Sequence, residues 1–398
     1  MTAGSFRATA VPIAGATFAT MLGFGMMVPA LPLLTAENGK GALASGLLMG
    51  AFGFARLLSN VPAGVLVDRV GLRAAAGIGL LVLLAGSLLA IAPLGFAVLM
   101  AALALQGAGS ALFSTAAMTA LILKAGPDRR GAAMSWFQSS LLLAFAVGPL
   151  VGGFLTGPFG AHVPFMAQAI LAVAALAVVR LLPAAPATKP ERASAGVAER
   201  LVAPMLLGGA VMGCAAFVAR IGAGWTVIPN VGLADLALSP ETIGAMVGIG
   251  TAANLAVMPL SALGIDRWGA GRTLAAASAA TFATLVLMAL APTVPVFWVG
   301  TALLMATTGT MIPAAGAVAL RGVDRRHTGR AMGLFRTGTD LGMSLGPVAV
   351  PGLTAALMLP PAAGFSVAAG AVALAAVIAL GLDAARRRAP DALADRAA

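Results

Sequence analysis

Apolar runs of about twenty residues follow one another along almost the whole of this 398-residue chain, separated by short charged turns. Twelve such runs lie at roughly 10–34, 43–66, 72–92, 97–121, 131–155, 163–182, 203–229, 241–264, 271–291, 295–319, 329–352 and 363–382. A helix needs about 20 mainly apolar residues to cross a hydrocarbon layer, so each run reads as a transmembrane helix. With 60% apolar and 9% charged residues and a mean hydropathy of +1.00, a soluble domain of this size would expose large apolar surface. The chain therefore reads as an all-α integral membrane protein. Its 50 glycines and 24 prolines would weaken helices in water but are tolerated where neighbouring helices re-satisfy the backbone. The first run is too long for a signal-peptide core and lacks a convincing cleavage site, so it reads as a retained span.

Orientation follows from the basic residues. Twenty of the 24 Lys and Arg fall in the two tails and in the turns on one side, Lys40 alone falls on the other, and Arg56, Arg220 and Arg336 lie within spans. Such a bias places both termini in the cytoplasm. It also accounts for the net charge of +11 and the pI near 11.6. The charge is spread over turns that face anionic headgroups, which points to the lipid bilayer and away from nucleic acid. Trp136, Trp225, Trp268 and Trp298 are placed near span ends, where an amphipathic ring is favoured.

Charge patterning also exposes a duplication. Between runs two and three the chain reads Gly64-Val-Leu-Val-Asp68-Arg69-Val-Gly71-Leu-Arg73, and 198 residues later it reads Asp266-Arg267-Trp-Gly269-Ala-Gly271-Arg272. At the same offset Gly131, Met134, Phe137, Gly148 and Pro149 recur as Gly329, Met332, Phe335, Gly346 and Pro347. Six spans per copy is an even number, so the second copy enters the membrane in the same direction as the first. The expected organisation is a six-helix bundle over 1–182, a cytoplasmic linker over 183–202 rich in proline and charge, and a second six-helix bundle with a short tail over 203–398.

These features resemble the major facilitator superfamily, whose two halves are parallel six-helix repeats. The Gly64, Asp68, Arg69, Gly71, Arg73 loop after Pro62 carries that resemblance, and its second copy has Ala262 where the first glycine would be. Gly148-Pro149-Leu-Val-Gly152-Gly153 in span 5 looks like the glycine-proline signature of the drug:proton antiporter branch, and Pro29-Ala-Leu-Pro32 in span 1 is also common there. Leu103 stands where that branch usually places an arginine linked to proton coupling, and Ala144 replaces a glycine one turn before Gly148. The resemblance implies a 12-helix major facilitator fold working by alternating access. It makes Asp68, Arg69, Asp266 and Arg267, with the loop glycines and Arg73, conformational latches. Small residues let helix backbones approach closely, so Gly148, Pro149, Gly152, Gly153, Gly346 and Pro347 read as a helix seam.

The charges inside spans are the functional candidates, because a charge at bilayer depth costs at least ~2.5 kcal/mol and tends to face a cavity or a partner. Arg56, Arg220 and Arg336 are candidate substrate contacts, and Asp340, the one acid within a span, is the candidate proton carrier. By residue count Arg56 and Asp340 share a depth, so a structural or gating ion pair is the competing reading, with Arg336 one turn from Asp340 as a rival partner. Cys214 is alone, which excludes a disulfide within the chain. His162 and His327 have no neighbouring ligands at metal spacing, and no phosphate-cradling loop is present, so no metal, no cofactor, no ATP-driven pump and no enzyme is expected. The expected protein is a monomeric secondary transporter exporting a small organic molecule in exchange for protons. The alternative is an organic-anion or metabolite transporter, favoured by three buried positive charges against one negative.

Overall fold

The computed structural model describes residues 3–92, 94–125, 130–180, 204–321 and 328–394. The expected linker over 183–202 and His327 lie outside them. Helices run in the order α1 (Ala3–Met26), α2 (Leu31–Glu37), α3 (Ala42–Val70), α4 (Leu72–Ile91), α5 (Phe96–Ala125), α6 (Arg130–Phe159) and α7 (Val163–Val179). They continue as α8 (Pro204–Phe217), a π-helical stretch (Val218–Val227), α9 (Ile228–Ala234), α10 (Pro240–Trp268), α11 (Ala270–Leu290), α12 (Val294–Ala319), α13 (Thr328–Ala356) and α14 (Gly364–Ala394). No strand occurs among the described residues. Among the described residues, nine segments are long and apolar enough to cross a membrane, and the bent α1–α2 pair makes a tenth. The 17-residue α7 and the charge-bearing α13 occupy the remaining two of the twelve apolar runs.

Two spans depart from the regular helices expected of them. Span 1 breaks over Met27–Ala30 and resumes as α2 at an angle of 45°. Pro29 has no N–H to give, and Pro32 fits the first turn of a new helix, where its missing donor costs nothing. Span 7 runs on to Ala234 and is π-helical from Val218 to Val227, a wide-turn geometry that is rare and concentrates at functional sites. Thr226 Oγ1 donates to the carbonyl of Ile221 five residues back at 3.0 Å, in keeping with that register. This stretch also corrects the placement of Trp225, which is buried at 1% exposure inside span 7 and is not an interfacial ring.

The turn after span 2 is tighter than the sequence suggests. The expected loop over Gly64 to Arg73 is almost entirely helical: α3 runs through Asp68 and Arg69 to Val70, and α4 begins at Leu72. Gly71 alone reverses the chain, with φ +83° and ψ 163°. Gly269 does the same between α10 and α11, with φ +84° and ψ 149°. That combination is essentially restricted to glycine, so the duplication extends to backbone conformation. Gly71→Ala and Gly269→Ala are each expected to lower stability by ~1–3 kcal/mol, read as a lower midpoint in thermal unfolding. Gly64 gives the opposite case: a Cβ there would meet no atom, and Ala262 stands at its repeat position.

The helices form two compact units. The first holds 1–191 together with 229–252, and the second holds 192–228 together with 253–398. The repeat boundary falls in the linker, but packing assigns α9 and the first half of α10 to the first unit. The reason is a backbone-close contact: a Cβ on Gly153 of α6 would sit 2.5 Å from the carbonyl of Pro240 and 3.1 Å from Cα of Gly244. Within the first unit, Ile13, Val67, Leu72, Ala76, Phe113, Leu121 and Val179 form one buried cluster that closes the end bearing the α3–α4 turn.

Candidate functional site

The most constrained polar group in the second unit is Arg220. It lies in the π-helical stretch, where every residue from Ala219 to Val227 is buried, and it is itself only 4% exposed. With the carboxamide of Asn254 turned so that its oxygen faces the guanidinium, that oxygen accepts from Nη1 at 2.5 Å and from Nη2 at 2.8 Å. Asn254 is 3% exposed on α10. Room for its amide comes from Gly309 of α12, where any Cβ would collide with the Asn254 side chain. No carboxylate lies within ion-pair distance of Arg220 among the described residues. The site therefore holds a buried positive charge that is hydrogen-bonded but not neutralised, an arrangement that costs several kcal/mol and favours an anionic visitor.

Arg56 in the first unit is 9% exposed, and its Nη1 donates to Ser110 Oγ on α5 at 2.6 Å. One turn earlier on α5, Gln106 is 1% exposed, with neither end of its amide hydrogen-bonded among the described residues. On α13, Asp340 is half-buried, and its carbonyl accepts from Ser344 Oγ at 2.7 Å. Arg336, one turn before it on the same helix, is exposed. Its side chain is therefore open to contact with a solute, unlike those of Arg56 and Arg220.

The remaining sequence candidates sit as follows. Asp68, Arg69 and Arg73 are exposed in the helix ends flanking Gly71, as are Asp266 and Arg267 before Gly269. Gly148 packs on span 1, where its Cβ would be 2.7 Å from Cα of Gly25, and Gly152 stands against the backbone of Met26. In the second unit Gly346 takes the equivalent place against the π-helical stretch, its Cβ position 2.9 Å from Cα of Val218. Two further glycines continue that contact toward the start of α13: Gly342 faces the carbonyl of Cys214, and Gly338 the carbonyl of Ala210 at 2.7 Å. The 4-residue spacing of Gly338, Gly342 and Gly346 was a legible signal that the sequence reading did not use, as was Asn254, a lone amide within an apolar run. Pro149 and Pro347 both lie inside helices, next to these contacts. Among the described residues no cluster of His, Cys, Asp or Glu could hold a metal.

The family model described as Major Facilitator Superfamily matches residues 13–223 and again residues 212–398. The chain is 31% identical over 152 residues to an MFS-type transporter of Methanocaldococcus jannaschii, covering 37% of this chain and 39% of that protein. It is 32% identical over 168 residues to multidrug resistance protein 2 of Bacillus subtilis, covering 42% and 41%. It is 27% identical over 139 residues to the quinolone resistance protein NorA of Staphylococcus aureus, covering 35% and 36%. The matched stretch thus spans about two-fifths or less of each relative's length. In fold, the chain superposes on the nucleoside transporter NupG with a TM-score of 0.78 at 12% identity, over 94% of this chain and 99% of that one. A peptide transporter POT gives 0.73 at 17% identity over 95% and 94%. Two consecutive matches to one family model, each over one six-helix repeat, place this chain in the major facilitator superfamily.

Proposed function

We propose that this protein is a secondary transporter of the cytoplasmic membrane, with both termini inside, that exports a small organic molecule by alternating access in exchange for protons. Family membership supports transport, and relatives named for multidrug and quinolone resistance support export. The glycine contacts of α6 and α13 would be the seams along which helices slide, and the residues around Gly71 and Gly269 the latches. Asp340 carries the proton in this reading, with Arg56, at the same depth by residue count, as its partner in one state. The observation that carries the substrate assignment is Arg220, buried with a neutral amide partner and without a carboxylate. A substrate bearing an anionic group would complete that site, which favours organic anions and zwitterions over lipophilic cations.

The test is uptake into proteoliposomes driven by an imposed pH gradient, with a quinolone, an organic anion and a lipophilic cation compared. Asp340→Asn is expected to abolish gradient-driven uptake while leaving substrate counterflow intact. Normal gradient-driven uptake by that variant would end the proton assignment. Competition by the cation alone would end the anion assignment.

A further inference from the structure

A wide groove opens in the second unit between α8, α11 and α14, away from the Arg220 site. Its volume is about 1180 Å³, above the ~300–1,000 Å³ of an ordinary small-molecule pocket. Met212, Leu274, Phe282, Val372 and Leu380 make its walls apolar. At the end bearing the α10–α11 turn, its rim carries Arg272 and Arg321, the exposed ring of Trp268, and Asp383 of α14. The Arg321 guanidinium lies over the glycine turn: a Cβ built on Gly269 would be 3.5 Å from its Nη2, and one on Gly271 3.9 Å from its Nη1. Neither arginine has a hydrogen-bonded or carboxylate partner among the described residues.

In the first unit the equivalent helices α1, α4 and α7 contribute Ile13, Leu72, Ala76 and Val179 to a buried cluster. An apolar groove ending in an exposed tryptophan and two arginines without partners among the described residues matches one occupant in both parts, an acyl chain joined to an anionic headgroup. We propose that the groove is a binding site for an anionic phospholipid, with its tail along α11 and α14 and its phosphate at Arg272 and Arg321. Arginine is suited to that headgroup because its planar fork offers paired donors to phosphate oxygens. On the orientation proposed above, this rim faces the cytoplasmic leaflet, where anionic lipids attract basic residues. Asp383 is the one acid among the described residues of the rim and sets a limit on the local positive potential.

The experiment is thermal unfolding of the purified full-length protein in a neutral detergent, with phosphatidylglycerol, phosphatidylcholine, glycerol phosphate or inorganic phosphate added. A ligand bound to the folded state alone raises the midpoint with the logarithm of its saturation. Phosphatidylglycerol is expected to raise it, and the other three to leave it near the detergent value. In Arg272→Gln/Arg321→Gln, binding should weaken about thirtyfold, the combined effect of two arginines at a membrane surface, while the control Arg180→Gln keeps the full response. If the double variant does not fold, Ala279→Trp, which fills the groove and leaves both arginines, should lose the response. Equal stabilisation by phosphatidylcholine, stabilisation by either soluble phosphate, or an unchanged response in these variants would overturn the proposal. None of these readings depends on transport, so the site and the transport assignment fail separately.

Discussion

Asn254→Leu is expected to destabilise the protein by ~3–5 kcal/mol, the cost of leaving a buried charge without its partner, whereas Arg220→Met is expected to cost far less. The asymmetry follows from what each change leaves behind. Without Asn254, the guanidinium of Arg220 stays at 4% exposure with nothing to accept its protons. Without Arg220, the orphan is a neutral amide, whose unmet hydrogen bonds cost ~1–3 kcal/mol, and the larger desolvation of the charge is relieved. The double variant Arg220→Met/Asn254→Leu should therefore be more stable than Asn254→Leu alone, with a coupling of ~0.5–3 kcal/mol in a double-mutant cycle. Unfolding midpoints of the four proteins in detergent decide the matter, and a stable Asn254→Leu would show that the pair is not what holds Arg220. Transport should be lost in both Arg220 variants whatever their stability, which separates a substrate contact from a structural one.

Two glycines of α13 give the second large effect. Gly342→Ala is expected to destabilise by ~1–3 kcal/mol through overpacking, because its Cβ would run into the carbonyl of Cys214, a backbone atom that cannot move aside. Gly333→Ala meets nothing within 4 Å and is expected to be neutral or to gain up to ~1 kcal/mol from helix propensity. Both lie inside α13, so propensity cancels and the difference between them isolates the close approach of α13 to span 7. The measurement is the same unfolding midpoint, and equal shifts for the two variants would remove the seam as a packing constraint. Because the same approach recurs at Gly148 against Gly25, Gly148→Ala should resemble Gly342→Ala in sign.

Much of the architecture was legible from the chain alone, for a physical reason. Lipid leaves the backbone so few choices that twelve apolar runs translate directly into helices. Basic residues at turns and a shared 198-residue offset mark the repeat before any packing is known. Glycine in the turns signalled a sharp reversal, and Gly71 and Gly269 do sit at positive φ. Arg56 and Arg220 were visible as charges misplaced in apolar runs, and both are buried in hydrogen bonds.

What the tertiary structure alone decided concerns azimuth, register and partners. Hydropathy has no angular resolution in a run that is apolar all round, so it could not tell that Arg220 is buried while Arg336 is exposed. It could not show that ten residues of span 7 would widen to a π-helix that packs closely on Gly346 of α13. Asn254 as the partner of Arg220 is a contact between spans 34 residues apart, set by the space that Gly309 leaves on a third helix. Nor could the repeat pattern reveal the groove between α8, α11 and α14 of the second unit. The sequence determined which segments are helices and where the chain turns, because those are local and solvent-imposed. Which faces meet, and which buried charge finds which amide, are decided by side-chain volumes brought together from distant parts of the chain.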